Sequence, residues 1–393
     1  MKKILITLLF AAIAPTVSAG NKNYLRYVDP YIGAGGHGHV FVGVCVPFGT
    51  VQIGPQNIFK GWDWCSGYHY SDNVLIGFSH THLSGTGCTD LGDIQVMPFT
   101  GDVRTRRGEQ DDISNSCSAR YRHENEQVSP YFYSLTLDNG IHAELTASRR
   151  VAFHKYTFPV GEKARLLINL REGNGFPSVA SSLRLVDDYT VVGHRIVKGW
   201  APEHRIYFAL KSDRPIAELL VFNDDEPAGR GELEGEGVKG VVCFEEGVDK
   251  LALKVAVSSV STDNALENLR REIPHWNFDK VMTTARDAWE KELERVDITT
   301  SDERAKRIFY TAMYHTMIAP TTYCDVNGEF RGHDNKIRKA DWTNYSTFSC
   351  WDTYRALHPW FTIIQSDRVG DMVNSMLSIC DQQGKFPIWP LIG

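Results

Sequence analysis

Tyr131-Phe132-Tyr133-Ser134-Leu135-Thr136-Leu137-Asp138-Asn139-Gly140-Ile141-His142-Ala143-Glu144-Leu145 is the stretch whose reading decides the fold class. Tyr131, Tyr133, Leu135 and Leu137 alternate with Phe132, Ser134 and Thr136, and Ile141, Ala143 and Leu145 alternate on the return. A period of two sends successive side chains to opposite faces of a strand, and Asn139-Gly140 tolerates the positive backbone angles of a two-residue turn. The stretch therefore reads as a β-hairpin. Similar short β-rich runs follow at 150–158, 164–170, 183–192, 205–211, 241–244 and 251–258, with no helical pattern between them. Strands joined by turns without helical crossovers imply an antiparallel sandwich, not a βαβ sheet. The Gly- and Glu-rich stretch 224–240 reads as an exposed loop within it.

Near residue 262 the period changes. Val281, Ala285, Ala288, Trp289, Leu293 and Val296 lay one apolar stripe along a helix. A second helix is expected to begin at a capping box formed by Thr300 and Glu303 and to run through Ile308, Ala312, Met313 and Met317. A third follows Ser366 through Val369, Met372, Val373, Met376, Leu377 and Cys380, with Gly384 after it. The domain reading is a signal segment at 1–19, an all-β N-terminal sandwich at 20–262, a helical linker at 263–300 and the start of a helical domain at 301–393. The chain ends on the apolar run Phe386-Pro387-Ile388-Trp389-Pro390-Leu391-Ile392-Gly393, which either packs deeply or continues into further protein.

With 42 Lys plus Arg against 48 Asp plus Glu, the 393 residues carry a formal charge of -6, which argues against a nucleic-acid partner. At 42% hydrophobic and 23% charged residues, the composition is that of packed domains. Lys2 and Lys3, the apolar run from Ile4 to Val17, and the small residues before Gly20 read as a cleavable export signal ending near Ala19. That places the mature protein in the periplasm or outside the cell with no stable membrane anchor. The eight cysteines contain no CxxC pair, so buried free thiols are expected ahead of a zinc site.

Several constellations are candidates for chemistry. Gly33, Gly35 and Gly38 match GxGxxG, but Asp29-Pro30 precedes them and a β-rich run follows, so the strand-then-helix context of a dinucleotide loop is missing. His37 with His39, and His80 with His82, have a spacing that places both members of a pair on one side of a strand, where they are able to hold a metal or serve as structural or pocket histidines. Aromatics interleave with acids at Trp62-Asp63-Trp64 and at Trp351-Asp352-Thr353-Tyr354. Sugar rings stack on aromatic planes while their hydroxyls need fixed acceptors, so Trp beside Asp suits a carbohydrate site; a buried Trp with a hydrogen-bonded Asp is the structural alternative.

These residues carry a family resemblance. Val28-Asp29-Pro30-Tyr31-Ile32-Gly33, Val46-Pro47-Phe48-Gly49-Thr50-Val51-Gln52, Trp62-Asp63-Trp64-Cys65-Ser66-Gly67-Tyr68-His69-Tyr70, the run from Gly77 to Asp93, and Phe348-Ser349-Cys350-Trp351-Asp352-Thr353-Tyr354-Arg355 resemble glycoside hydrolase family 92 over nearly all the mature chain. The resemblance implies a secreted, calcium-dependent exo-α-mannosidase that inverts configuration. Its implied fold is a β-sandwich (super-sandwich) packed on an (α/α)6 barrel, of which only the first helices would be present. Its implied partners are mannose-containing oligosaccharides or N-glycans. It also implies that Asp352 accepts hydrogen bonds from terminal mannose with Trp351 beside it, and that Phe48, Gly49, Trp64, Ser66 and His80 reach the same pocket.

Family members continue past the equivalent of Pro390-Leu391-Ile392-Gly393 into the motif carrying the general acid, and supply the base later. Inversion requires two carboxyls about 6.5 to 9.5 Å apart, so no catalytic residue is assigned within this chain. The metal ligands stay unassigned, much of the calcium site being expected in the same missing region, and a second polypeptide completing the barrel is one way the protein would function. Two other readings stand beside this one: a non-catalytic carbohydrate-binding or vestigial fragment, and a zinc hydrolase using His37, His39, His80 and His82.

Overall fold

In the computed structural model, which describes residues 23–391, the strands Phe132–Leu137 and His142–Ala147 form the hairpin expected from their alternation. The signal segment read at 1–19 lies outside the described residues. Leu135 faces Ala143 and Tyr133 faces Leu145 across the pair, and Gly140 closes the turn with a φ of 85°. Tyr133, Leu135, Leu137, Ile141, Ala143 and Leu145 are all buried, so the apolar phase of the pattern is the core-facing one.

This hairpin belongs to a ten-stranded antiparallel sheet ordered Glu232–Gly235, Ser178–Asp187, Thr190–Val197, His204–Ser212, Lys250–Ser258, Val151–Thr157, His142–Ala147, Phe132–Leu137, Ala119–Ser129 and Val74–Leu75. A seven-stranded antiparallel sheet is ordered Gly54–Gln56, Gly77–Ser79, Gln95–Thr100, Ala164–Asn169, Val238–Phe244, Ile216–Asn223 and Glu226–Arg230. One hydrophobic cluster joins Leu135, Leu145, Phe208 and Val255 of the larger sheet to Val96, Leu166 and Val241 of the smaller. The sheets approach so closely at Gly240 that a Cβ there would lie 2.6 Å from Leu183 Cδ1.

Two readings change. The run 183–192 spans two strands: Asp187 Oδ1 accepts the Tyr189 N–H, making a tight turn without the glycine or proline that usually announces one. The stretch 224–240 is no simple loop. Glu226–Arg230 extends the edge of the smaller sheet and Glu232–Gly235 the edge of the larger, so the segment straps the two edges together while remaining mostly exposed.

A buried polar knot crosses the sandwich. The fully buried Asp93 carboxylate accepts bonds from Arg195 Nη1, from His204 Nε2 at 3.0 Å and from Thr81 Oγ1 at 2.7 Å. Burial by itself disfavours its charge, but His204 and Arg195 more than offset this and hold the carboxyl well below the usual range. His80 donates through Nδ1 to the Ile94 carbonyl and meets His154 at 3.0 Å, while His82 donates to the Gln52 carbonyl at 2.8 Å. Burial lowers both His80 and His82 to about 4, so both rings are neutral at ordinary pH.

Six helices follow the last sandwich strand, Lys250–Ser258, among the described residues: α1 (Thr262–Glu272), α2 (Phe278–Leu293), α3 (Glu303–His315), α4 (Cys350–Thr353), α5 (Leu357–Ile364) and α6 (Ser366–Gln383), with four strands of two or three residues between α3 and α4. The stripe read on α2 buries Val281, Ala285, Trp289 and Leu293. The cap of α3 is Asp302, whose carboxylate accepts the N–H groups of Arg304 and Ala305; Thr300 instead accepts the Asp302 N–H, so the expected capping box lies two residues too early. Gly384 ends α6 in the left-handed conformation at φ 73°, as its position predicts. The short α4 and α5 give too few turns for a periodic signal, and Pro359 sits in the first turn of α5, where a missing N–H costs nothing.

Sandwich and helices are joined at Phe48, a non-glycine residue at φ 58°. Its N–H donates to the Met317 carbonyl at 2.8 Å, and its carbonyl accepts both the N–H and the hydroxyl of Thr322 at 2.8 Å. Gln52 Nε2 donates to the Ile318 carbonyl, and Trp289 Nε1 donates to the Cys45 carbonyl at 2.6 Å. The Phe48 ring packs with Trp289, Tyr314, Phe361 and Met372 in a second buried cluster.

Two outcomes test this account. Asp93→Asn leaves the buried Arg195 guanidinium without its counter-charge and should cost about 3–5 kcal/mol in urea unfolding; a loss below about 1 kcal/mol would show that the knot is not holding the sheets. His80 and His82 have folded pKa values below the 6.5 of an unfolded histidine, so the unfolded chain binds the extra protons. Their contribution is complete above 6.5 and is lost as pH falls towards 4, ahead of the further loss from Asp93, so the urea midpoint should drop between pH 7 and pH 5. A flat midpoint over that interval would contradict the burial of neutral rings.

Candidate carbohydrate-binding face

The strand Tyr345–Ser346 pairs with Thr321–Thr322, the segment held by Phe48. Immediately after it Thr347 adopts φ 63°, which turns Phe348 into the core and throws the following residues outward as α4. Trp351 is 57% exposed there and Asp352 lies beside it on the surface. Asp352 is oriented by Ser349, whose hydroxyl donates to Oδ2 at 2.8 Å and whose carbonyl accepts the Asp352 N–H at 3.0 Å. Oδ1 meets no donor among the described residues, so the carboxylate has a fixed direction and acceptor capacity left for a hydroxyl.

The C-terminal segment builds the wall next to this ledge. Phe348 N–H donates to Pro390 O and Cys350 N–H to Ile388 O at 2.9 Å, which sets Trp389 edge-on to Trp351 with ring centroids 6.4 Å apart. Trp200, in the turn after strand Thr190–Val197, meets Trp389 at 4.1 Å and donates its Nε1 to the Trp389 carbonyl. Asp90 Oδ2 holds the Trp200 N–H at 2.8 Å. Trp200, Trp389, His333 and Phe386 line an open cavity of about 240 Å³. Trp200 and Trp389 were not among the expected site residues, although an exposed tryptophan in a turn between two strands is itself a recognition signal.

The remaining expected residues lie on the sandwich side. Phe48 is 2% exposed and its ring is part of the joint with the helices. Gly49 sits tightly against Val46, whose carbonyl oxygen would be 3.1 Å from an added Cβ. Trp64 is half-buried, stacked on His69 at 4.4 Å with Nε1 donating to Asp72. Ser66 is buried and donates to the Tyr68 carbonyl. His80 has no exposed surface. The structure thus sets Trp351 and Asp352 at the surface, with Phe48 and Gly49 at the joint that carries them. Trp62, 56% exposed, stands on this side against His39 and donates to the Gly87 carbonyl at 3.0 Å.

The histidines do not form a metal centre. His37 is exposed and bonded to Asp63 at 2.8 Å, His39 packs against Trp62, and His80 and His82 face carbonyls inside the sandwich. Among the described residues no three His, Cys, Asp or Glu side chains gather as ligands for an ion. Calcium takes six to eight oxygen ligands, and the described residues do not assemble such a cage by themselves.

With this geometry, residues 27–258 match the glycosyl hydrolase family 92 N-terminal domain and residues 264–393 the glycosyl hydrolase family 92 catalytic domain. A family GH92 alpha-mannosidase from Bacteroides thetaiotaomicron, solved in complex with mannoimidazole, is 36% identical with a TM-score of 0.91, over 95% of this chain and 50% of that one. An inverting family GH92 mannosidase from Bacteroides thetaiotaomicron VPI-5482 has the same fold at 24% identity and a TM-score of 0.84, over 95% of this chain and 50% of that one. An uncharacterized secreted glycosidase of Arthroderma benhamiae is 25% identical, over 84% of this chain and 45% of that protein. The chain spans about half the length of these relatives. Both domain matches, running from residue 27 to residue 393, place it in one group: the chain belongs to glycosyl hydrolase family 92.

Proposed function

We propose that this chain is the sandwich-bearing portion of an exported, inverting exo-α-mannosidase, and that it contributes a recognition surface for terminal mannose of N-glycans or mannans. The observation that carries the reading is the ledge of Trp351 and Asp352, with Asp352 aimed by Ser349 and Trp389 standing at its side. A carboxylate fixed from one oxygen and open at the other accepts a sugar hydroxyl without reorganising, and a tryptophan face covers the apolar side of the ring. The alpha-mannosidase relative that shares the fold at 36% identity supports mannose as the sugar. In this reading the acid and base come from family sequence beyond residue 393, and calcium is bound chiefly by residues outside this chain. The secreted glycosidase among the relatives agrees with export to the periplasm or the cell exterior.

Calorimetry with mannoimidazole and α-1,2-mannobiose tests the ledge. Asp352→Asn, which keeps shape and removes charge, should weaken binding about tenfold or more, and Trp351→Ala by a similar factor, with unchanged melting. Equal affinity in wild type and both variants would remove the ledge from the site. Turnover of α-1,2-mannobiose by the 393-residue chain alone would show that its catalytic carboxyls lie within it, contrary to this reading.

A further inference from the structure

A second concavity lies between the sandwich and α2, with a volume of about 660 Å³. Its floor is the turn from Ala147 to Arg150, and one wall is the face of α2 that presents Thr284, Ala285 and Ala288. Those small side chains leave a trough where larger ones would have closed the helix onto the turn. At its margins stand Arg149, Arg271, Lys280 and Lys291, with Arg150 and Arg368 deeper in.

In a chain of net charge -6, this lining holds six Lys and Arg residues against two carboxylates, Glu272 and Glu292. Both carboxylates are committed. Glu272 binds Arg150 Nη1 at 2.6 Å together with the Ser148 hydroxyl and the Arg150 N–H. Glu292 binds Arg368 and Arg295 and accepts from Gln365. Arg271 has only a long contact with Glu267 at 3.8 Å. No carboxylate among the described residues lies in salt-bridge contact with Arg149, Lys280 or Lys291, and all three are exposed.

We propose that this groove binds an anionic glycan, one bearing phosphate or sulfate esters, held between Arg149, Lys280 and Lys291. Lys280 and Lys291 are eleven residues apart on one helix, about 16 Å, so a ligand reaching both must be an oligosaccharide and not a single small anion. Phosphate and sulfate esters accept from Lys and Arg at short range, and a concave site with low-dielectric walls concentrates the cationic field that draws them in. The choice of a glycan over other polyanions rests on the carbohydrate reading of the ledge; the anion preference rests on the groove alone. The net charge of the whole chain disfavours the broad approach of a nucleic acid or an anionic membrane, while a trough of this size admits a narrow chain.

Calorimetry on the full chain should use four probes: mannotetraose carrying a phosphate ester, uncharged mannotetraose, inorganic phosphate, and a short DNA duplex. The phosphorylated tetraose is expected to bind with an affinity that falls as salt is raised and that drops about tenfold or more in Lys280→Ala/Lys291→Ala. These exposed lysines are outside the mannose ledge, so Asp352→Asn should leave that salt-dependent binding intact, and the double variant should leave mannoimidazole binding intact. Failure of the ledge is thereby separated from failure of the groove. Equal affinity for inorganic phosphate, tighter binding of DNA, or an affinity unchanged in the double variant would each overturn the proposal.

Discussion

The joint at Phe48 is the constraint on which the arrangement of this protein depends. Its peptide is held from both sides, by Met317 through the N–H and by Thr322 through the carbonyl, in a left-handed conformation that costs a non-glycine residue of order 1 kcal/mol or more. The ring repays that strain by entering the cluster that holds Trp289, Tyr314 and Phe361. Because Thr322 also pairs with Tyr345, the clasp fixes the strand from which the Trp351 ledge is launched.

Position at the ledge therefore travels through backbone hydrogen bonds. The sandwich, with its buried Asp93, Arg195 and His204 and its neutral histidines, is a rigid base. Arg195 and Asp93 are both almost wholly buried, and each is tolerable there because the other neutralises it. On that base the turn at Trp200 and the C-terminal segment at Trp389 meet, although 189 positions of sequence separate them. Aromatic surface gathered from three distant segments is what gives the ledge a wall.

The pattern-bearing elements were legible. Alternation from Tyr131 to Leu145 and the stripe on α2 correspond to buried faces, and Gly384 stops α6 where a left-handed cap is needed. The turn at Asp188 was hidden because Asp187 makes it by a side-chain bond instead of by glycine, and the cap of α3 was misplaced because Asp302 outcompetes Thr300 as acceptor. At the site, Trp351 and Asp352 announced themselves as an aromatic next to an acid. Trp200 and Trp389 did not, since neither has an acidic neighbour in sequence and their meeting depends on packing.

Sequence by itself determined the class of each half, strands and then helices, and the family, because periodicity and motif order are local properties that survive without coordinates. Tertiary structure alone decided which polar residues are interior and which face solvent. His80 and Trp351 belong to equally distinctive motifs, yet one is sealed inside the sandwich and the other stands more than half exposed. Burial is a property of what packs on a residue, and the packing partners, Ile94 and His154 for the one and Trp389 for the other, come from chain segments that no local pattern connects.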